Sequence, residues 1–312
     1  MNRVSVAIPN LNGVALLPTC LDSLRAQTRR ADEVVVVDDG STDQSLDLLA
    51  ERYPEVQVVR HARPLGVARG FNDGIRATTG DLVVLLNNDT EADSGWLEAL
   101  CRPLDEDRDL AFAASKLLLF DRRQVLHSAG DFFGRDGVPG NRGVWQEDRG
   151  QFDTATEPFG PCAAAAAYRR TTLDRLGGFD ESFGSYCEDV DLNFRARLAG
   201  EGCRFVPEAR VYHRLSATGG GALASYHVGR NTLWVVFQDM PGALLRRYWP
   251  LMLRRQLAVS VEAFRHLRGT AARARLRGQL DGWRGLGRIL ARRALVQQTR
   301  RISVPALDAL LT

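Results

Sequence analysis

The first 120 residues alternate between short apolar runs and segments with helical spacing, and this alternation constrains the fold more than any other feature. The apolar runs predict strands at residues 4–9, 33–37, 56–60, 81–86 and 110–119. The segments between them predict helices at residues 16–27, 41–53, 67–78 and 95–104, the second opened by the N-cap residue Ser41. Strands that are apolar at successive positions are covered on both faces. We therefore expect an α/β fold with a mostly parallel, doubly wound (Rossmann-like) sheet.

The second part of the chain has a weaker pattern. Residues 121–160 are rich in Gly, Asp and Arg and are interpreted as a loop-rich insertion without regular elements. Strands are predicted at residues 162–169 and 204–212, a helix at residues 188–198, and a flexible turn at Gly219-Gly220-Gly221. This organisation predicts a body of residues 1–245, divided near residue 120, and a separate extension at residues 246–312.

The extension carries most of the positive charge. Residues 246–312 hold 15 Arg against three acids, a net charge of +12, whereas residues 1–245 hold 26 cations and 35 acids, a net charge of −9. Two apolar stripes predict two amphipathic helices. Their members are Leu253, Leu257, Val261 and Phe264 in the first, and Leu276, Leu280, Trp283, Leu286 and Leu290 in the second. The extension either binds an anionic membrane surface or caps the core with a solvated basic face. Nucleic acid is not an expected partner, because 40 of the 41 cations of the whole chain are Arg.

Several classes of protein are excluded by what the sequence lacks. No uncharged stretch approaches the roughly 18 apolar residues of a spanning helix, and no apolar signal region follows Met1, so a cytoplasmic location is expected. The five cysteines include no CxxC pair, which argues against a disulfide framework or zinc cluster and for buried, inert thiols. There is no GxGxxG after the first strand and no GxxxxGK[ST], so the dinucleotide and P-loop interpretations fail.

Two polar clusters follow predicted strands. Asp38 and Asp39 come after the second strand, and Asn87-Asn88-Asp89 comes after the fourth. Ligands of open α/β sheets bind beyond the carboxyl ends of the strands. Turn formation explains such residues without a ligand. Alternatively, converging carboxylates bind a divalent cation that carries a diphosphate, or a donor group of a nucleobase.

A third acidic cluster opens the helix predicted at residues 188–198. Glu188, Asp189 and Asp191 lie in its first turn, where the helix dipole favours them, and Asp191 is placed to pair with Arg195. A carboxylate in a pocket at this position would instead serve as a general base. His213 ends the last predicted strand and is either a surface residue or a metal ligand.

Taken together, seven segments resemble the family 2 glycosyltransferases, inverting enzymes of the GT-A fold, and especially their rhamnosyltransferase-like bacterial branch. The resemblance runs from residue 4 to about residue 241. The segments are VSVAIPN at 4–10, VVDDGSTD at 36–43, GVARGFN at 66–72, LLNND at 85–89, GGFD at 177–180, EDVD at 188–191 and VYH at 211–213. Each segment is weak alone, but their shared order makes the resemblance specific.

The resemblance implies roles for individual residues. For the nucleotide-sugar donor it implies a nucleobase contact by Asp39 with Asp38, a pocket lined by Pro9 and Asn10, and ribose or diphosphate contacts by Arg69, Asn72 and Asn88. Asp89 corresponds to the last acid of the metal-binding motif for Mg²⁺ or Mn²⁺, with His213 completing the site. Asn87 stands where many members have Asp, which leaves direct or water-mediated coordination open. Asp189 corresponds to the catalytic base, supported by Glu188 and Asp191.

The implied reaction moves a sugar from a nucleoside diphosphate sugar to a hydroxyl of a glycan or lipid-linked acceptor, with rhamnose as the favoured sugar. Residues 1–120 would bind the donor, residues 121–245 would supply the acceptor side and the base, and the basic extension would hold the protein at the inner face of the cell membrane. We expect Asp39, Asp89 and Asp189 to meet around one cleft.

Two alternatives remain. A catalytically silent sugar-nucleotide-binding subunit is kept open by Asn87. A nucleotidyltransferase would need a glycine-rich signature with a catalytic Lys or Arg, and the single lysine, Lys116, lies away from every motif.

Overall fold

The computed structural model describes residues 1–154, 157–215 and 220–312. The chain forms two compact units. The first, called the sheet unit, comprises Met1–Asp131, Asn141–Gly184 and Gly202–Thr218. The second, called the helical unit, comprises Phe132–Gly140, Ser185–Glu201 and Gly219–Thr312. Gly219 of the predicted glycine turn lies outside the described residues, and the predicted functional division of the chain at residues 120 and 245 stays a prediction.

The strands and helices follow one another in a βα alternation that ends in a run of helices. The strands are β1 Val4–Asn10, β2 Glu33–Asp38, β3 Gln57–Arg60, β4 Leu82–Leu86, β5 Thr90–Ala92, β6 Phe112–Leu119, β7 Arg122–Ser128, β8 Asp131–Phe133, β9 Pro139–Asn141, β10 Ala165–Arg169 and β11 Cys203–His213. The helices are α1 Leu17–Arg25, α2 Ser45–Arg52, α3 Val67–Ala77, α4 Trp96–Glu106, α5 Arg170–Leu176, α6 Glu188–Ala199, α7 Gly221–Asp239, α8 Gly242–Arg265, α9 Thr270–Arg284, α10 Leu286–Gln298 and α11 Val304–Leu310. A short 3-10 helix spans Glu181–Phe183.

The main sheet has the strand order β3-β2-β1-β4-β10-β6-β11-β5, with β7 paired to β6. The half formed by β3, β2, β1 and β4 is parallel, as the alternation predicted. The strand β10 is antiparallel to both of its neighbours, whereas β6 and β11 are parallel. The sheet is therefore mixed beyond β4. An apolar run alone does not reveal strand direction, because central strands of either direction are buried on both faces.

Two local predictions were wrong. The helix α2 begins at Ser45 rather than at residue 41, because the Ser41 hydroxyl accepts the N–H of Asn12 at 2.8 Å instead of capping a helix. The insertion at residues 121–160 contains β7, β8 and β9 rather than loops alone. The strand β7 pairs antiparallel with β6, so tertiary pairing orders a segment with little periodicity of its own.

The core of the sheet unit lies around the central strands. All residues of β4 and β6 are buried, and Trp96 of α4 donates its indole N–H to the Ser115 hydroxyl at 2.8 Å. The cysteines are free, and burial raises the pKa of both Cys20 and Cys101 to about 12. Thiols with such pKa values stay protonated and unreactive near neutral pH, as the sequence predicted.

Glycines bring α7 and α9 of the helical unit into close contact. A Cβ on Gly278 would lie 2.1 Å from the Tyr226 carbonyl oxygen, and a Cβ on Gly229 would lie 2.6 Å from the Arg275 carbonyl oxygen. Residues 246–312, predicted as two helices, form more, since the second apolar stripe is divided between α9 and α10. Within the described part of the chain, no helix has both the length and the apolar character needed to cross a membrane.

Candidate functional site

The polar residues that follow β1, β2 and β4 meet at one edge of the sheet, because these strands are adjacent and parallel. The Asn10 side chain donates to Asp38 Oδ2 at 3.0 Å and accepts from Asn88 Nδ2 at 2.7 Å, and all three are buried. Asp38 also accepts the Ser41 amide at 3.0 Å and so closes the turn after β2. The predicted convergence of the two clusters is confirmed. The nucleobase pocket proposed around these residues and the half-buried Pro9 stays a prediction.

Asp39 holds the loop that precedes α3. Its carboxylate accepts the N–H groups of Leu65 at 2.8 Å and Gly66 at 2.9 Å, and lies 2.7 Å from His61 Nδ1. The other ring nitrogen of His61 lies 2.9 Å from Asp73 Oδ2. Both oxygens of Asp39 therefore have protein partners, which gives this residue a loop-positioning role, and its contact with a nucleobase stays a prediction.

Asn72 and Arg69 on α3 fix the segment that follows α5. The Asn72 amide donates to the Phe179 carbonyl at 2.9 Å and to Glu181 at 3.0 Å, and its oxygen accepts the Phe179 N–H at 2.8 Å. Arg69 donates to Glu181 at 3.0 Å and to Asp73 at 2.7 Å. These bonds join two of the motifs, and the ribose and diphosphate contacts of both residues stay predictions.

Asp89 and His213 lie side by side where β5 pairs with β11. The Asp89 Oδ1 atom lies 3.1 Å from His213 Nε2, but the two are not aligned as a hydrogen bond. This buried carboxylate oxygen has no hydrogen-bond partner among the described residues. The other ring nitrogen of His213, Nδ1, lies 3.0 Å from His127 Nδ1. Burial, followed by the charge of His213, lowers the pKa of His127 to about 3, so His127 is neutral near neutral pH.

Asp89 and His213 fit a divalent cation. A buried carboxylate oxygen without a hydrogen bond is costly, and a cation beside it removes that cost. Carboxylate oxygen and imidazole nitrogen are ordinary ligands of divalent metals, and metal-bound histidines are oriented through their second ring nitrogen, as His127 orients His213. Asp89 and His213 could therefore hold Mg²⁺ or Mn²⁺. The Asn87 backbone is fixed by its N–H to Ala164 at 2.9 Å, and coordination by its side chain stays a prediction.

The third acidic cluster begins α6 in the helical unit. Asp191 is fully buried and accepts Arg195 Nη2 at 2.7 Å and Gln238 Nε2 at 2.6 Å. The predicted pairing of Asp191 with Arg195 is confirmed. Its carboxylate thus stabilises the helix that carries the cluster.

Asp189 and Glu188 form the first turn of α6. Asp189 is half-buried, whereas Glu188 is buried, and burial, followed by the charge of Asp189, raises the pKa of Glu188 well above its usual value. Glu188 therefore holds its proton more readily than a solvated glutamate would. Tyr186 and Cys187, just before the helix, both have φ near 64°, and such non-glycine residues cost about 1–3 kcal/mol each.

A residue of α7 holds the strained segment before α6 by hydrogen bonds. The Asn231 side chain donates to the carbonyls of Ser185 at 3.0 Å and Tyr186 at 2.6 Å. These bonds position the start of α6 and hence Asp189. The meeting of Asp189 with Asp39 and Asp89 around one cleft stays a prediction.

Sequence reasoning missed His61, His127 and Asn231. His61 contacts the predicted residue Asp39, His127 contacts His213 across 86 positions, and Asn231 bonds the segment just before Glu188 from a distant part of the chain. A single histidine after β3 or in a weakly periodic segment gives no signal by itself. Only the pairing of β7 with β6 explains why His127 reaches its partner.

Comparisons with known proteins show the family of this chain. The model of the family described as glycosyl transferase family 2 matches residues 5–177, more than half of the chain. The O-antigen biosynthesis protein RfbC of Myxococcus xanthus is 31% identical over 230 residues, which are 69% of this chain but only 18% of RfbC. The N-acetylglucosaminyl-diphospho-decaprenol L-rhamnosyltransferase of Mycobacterium tuberculosis (strain ATCC 25618 / H37Rv) is 26% identical over 82% of this chain and 90% of that protein.

A solved structure shows the same fold. The mannosyltransferase PcManGT of Pyrobaculum calidifontis, determined with GDP-Man and Mn²⁺, aligns with a TM-score of 0.57 and 18% identity over 95% of this chain and 87% of that chain. The GT-A type of α/β fold is thereby confirmed. Because the family model covers more than half of the chain and most of the sheet unit, the chain belongs to glycosyltransferase family 2.

Proposed function

We propose that the protein transfers a sugar from a nucleoside diphosphate sugar to a hydroxyl of a lipid-linked glycan, with inversion of the anomeric centre. The observation that carries this proposal is the buried Asp89 Oδ1 atom, which has no hydrogen-bond partner among the described residues and lies 3.1 Å from His213 Nε2, because this arrangement fits the metal that such a donor requires. PcManGT, determined with GDP-Man and Mn²⁺, has this fold and supports the same class of donor.

On the donor side, Asp89 and His213 would hold the cation, and Asn87 would coordinate it directly or through water. The bound cation would neutralise the charge of the leaving diphosphate as a Lewis acid. The hydrogen bonds among Asn10, Asp38 and Asn88 hold the ends of the strands together and so would fix the position of Asp89, which follows Asn88. Asp39 and His61 order the loop that leads into α3, which carries Arg69 and Asn72.

On the acceptor side, Asp189 would take the proton of the attacking hydroxyl. The raised pKa of Glu188, caused first by burial and then by the charge of Asp189, favours its protonated form and so reduces the negative charge beside Asp189. Asp191, paired to Arg195, fixes the helix that presents Asp189. A single carboxylate base is what inversion needs, since retention would require a second nucleophile.

The sugar and the acceptor are proposed from a relative. The mycobacterial L-rhamnosyltransferase named above acts, by its name, on an N-acetylglucosaminyl-diphospho-lipid. We infer rhamnosyl transfer to an acceptor of this lipid-linked class. The nucleotidyltransferase alternative is disfavoured, because Lys116 is buried in ion pairs with Asp148 at 3.0 Å and Asp153 at 2.6 Å. A lysine held in this way does not reach a nucleotide.

A panel of donors tests the proposal. With Mn²⁺ present, we expect one of dTDP-rhamnose, UDP-glucose and GDP-mannose to raise the melting temperature most and to be turned over, dTDP-rhamnose first, because a ligand that binds only the folded state stabilises it. Thermal shift and release of the nucleoside diphosphate are the measurements. If a donor binds but is not turned over with any acceptor lipid, the result would favour the catalytically silent subunit instead.

The surface of α8 supports membrane association at the inner face of the cell membrane. Five apolar side chains spaced three or four residues apart lie on one side of this helix and are 47% to 68% exposed. They are Trp249, Leu253, Leu257, Val261 and Phe264. The helix also carries exposed arginines within an extension of net charge +12. An anionic bilayer satisfies both features, because apolar groups enter it and cations are drawn to its surface.

Substituting two of these side chains tests the membrane proposal. We expect Leu257→Asp with Phe264→Asp to weaken co-sedimentation with phosphatidylglycerol vesicles at least about tenfold, since each buried apolar side chain contributes about 1.5–3 kcal/mol. Leu290→Asp with Leu295→Asp makes the same charge change on exposed residues of α10 and should have little effect. Equal losses in both pairs would show that charge alone governs binding.

A further inference from the structure

A cavity of about 370 Å³ lies among α7, α8 and α9 of the helical unit. Its polar lining residues include Arg255 and Glu262 of α8, His266 just after it, and Arg275 of α9. Alanine and valine side chains form much of the remaining wall. Two guanidinium groups beside an apolar wall suit a ligand with an anionic head and a hydrocarbon portion.

Arg275 is the distinctive residue of this cavity. It leaves α9 where that helix touches α7, so that a Cβ on Gly229 would lie 3.0 Å from its Cδ, and its stem is thereby confined. The side chain is half-buried, and no carboxylate pairs with it among the residues that the structure describes. Burial, and also the charge of Arg255, lower the pKa of Arg275, whereas Cys187 acts in the opposite direction. A guanidinium kept in this setting is stabilised when an anion binds.

The remaining charges leave this pair of arginines available. Among the described residues, the ion-pair contact of Arg255 is with Asp136, at 3.5 Å. Glu262, the acid of the cavity, lies 2.9 Å from His266 and 3.9 Å from Arg265. Glu262 thus interacts with residues that lie three and four positions after it in the chain.

The cavity adjoins the segment that enters α6. Arg275 packs against Gly229 of α7, two residues before the Asn231 that holds this segment. Cys187 directly precedes Glu188 and Asp189, and α7 holds the same segment through Asn231. An anion bound by Arg275 therefore lies on the side of the helical unit that carries the proposed base.

We propose that Arg275 and Arg255 bind the phosphate groups of the lipid-linked acceptor, with the apolar wall against the start of its hydrocarbon chain. This inference rests on the proposed function and adds the recognition of the acceptor's diphosphate. Arginine forms bidentate bonds with phosphate oxygens, and 370 Å³ lies within the usual range of ligand pockets, about 300–1,000 Å³.

Geranyl diphosphate is the probe, used with the full chain in EDTA and without nucleotide, so that a metal-dependent donor site does not contribute. We expect Arg275→Gln and Arg255→Gln each to weaken its binding at least about tenfold by calorimetry, and Arg275→Lys to retain part of the affinity. Arg277→Gln, the same charge change at a 79% exposed side chain of α9, should leave the affinity unchanged. Melting temperatures of all variants check that they fold.

Three results would overturn the inference. The first is that the wild type does not bind geranyl diphosphate, and the second is that Arg277→Gln weakens this binding as much as Arg275→Gln does. The third is that Arg275→Gln weakens binding to phosphatidylglycerol vesicles but not to geranyl diphosphate, which would mean that the cavity binds the headgroups of bulk lipids. Donor turnover is measured separately with each nucleotide sugar. If geranyl diphosphate binding depends on Arg275 while no donor is turned over, the phosphate site stands and the proposed function fails.

Discussion

Asp189→Asn should lower the rate of sugar transfer about 10²–10⁴-fold while leaving donor binding unchanged, because an amide of the same shape cannot accept the proton of the attacking hydroxyl. The effect belongs in kcat rather than in the donor KM, since the proton moves only as the new bond forms. Initial rates at saturating donor, together with the melting-temperature shift produced by the donor, separate the two quantities.

The matched control is Asp109→Asn, which makes the same chemical change at an exposed residue before β6. Its rate should equal that of the wild type. Near-wild-type turnover by Asp189→Asn would remove the base from this position and leave Asp189 as part of the first helical turn only. A loss of donor binding in the same variant would instead indicate a structural defect.

The convergence of the polar clusters after β2 and β4 could be predicted, because each cluster lies at the end of an apolar run. Asp38 ends β2 and Asn88 follows β4, and both strands pair in parallel with β1, so their carboxyl ends meet at Asn10 whatever lies between them along the chain. The Asp191–Arg195 pair could also be predicted, since its two members are one helical turn apart. The sequence spacing sets the distance in the helical pair, whereas the pairing of the strands sets it at the sheet edge.

What the sequence did not reveal depends on contacts between distant segments. His61 links Asp39 to Asp73 through the loop before α3, and His127 reaches His213 through the pairing of β7 with β6. The antiparallel β10 has the same apolar character as the parallel strands beside it. A hydrophobic pattern indicates which residues are buried, whereas these features depend on the direction of a strand and on the partner of a side chain.

The apolar stripe of α8 illustrates the same limit. Its spacing predicted an amphipathic helix, and the helix is present. The spacing could not show that the stripe would stay exposed, with Phe264 at 68%, rather than pack on a neighbouring helix. Exposure of a long apolar row is informative because folding alone gives no reason for it.

Asp89→Asn should lower metal-dependent transfer about 10²–10³-fold, because a cation that neutralises the leaving diphosphate contributes several kcal/mol and each 1.4 kcal/mol is tenfold. The amide is also compatible with this buried position when no metal is bound, because it carries no charge whose burial would cost free energy. We therefore expect an unchanged or raised melting temperature in EDTA together with the loss of activity. A merely structural carboxylate would show the opposite, a lowered melting temperature.

His213→Gln distinguishes a ligand from a neighbour of the site. If His213 coordinates the cation, this variant should need about 10–100-fold more Mn²⁺ for half-maximal activity, whereas the maximal rate at saturating Mn²⁺ should recover in large part. Asp121→Asn, at an exposed acid beside β7, is the control for general charge effects and should follow the wild-type titration. An unshifted Mn²⁺ titration in His213→Gln would mean that Asp89 holds the metal without the imidazole. The 3.1 Å contact between their side chains would then serve only to position the carboxylate.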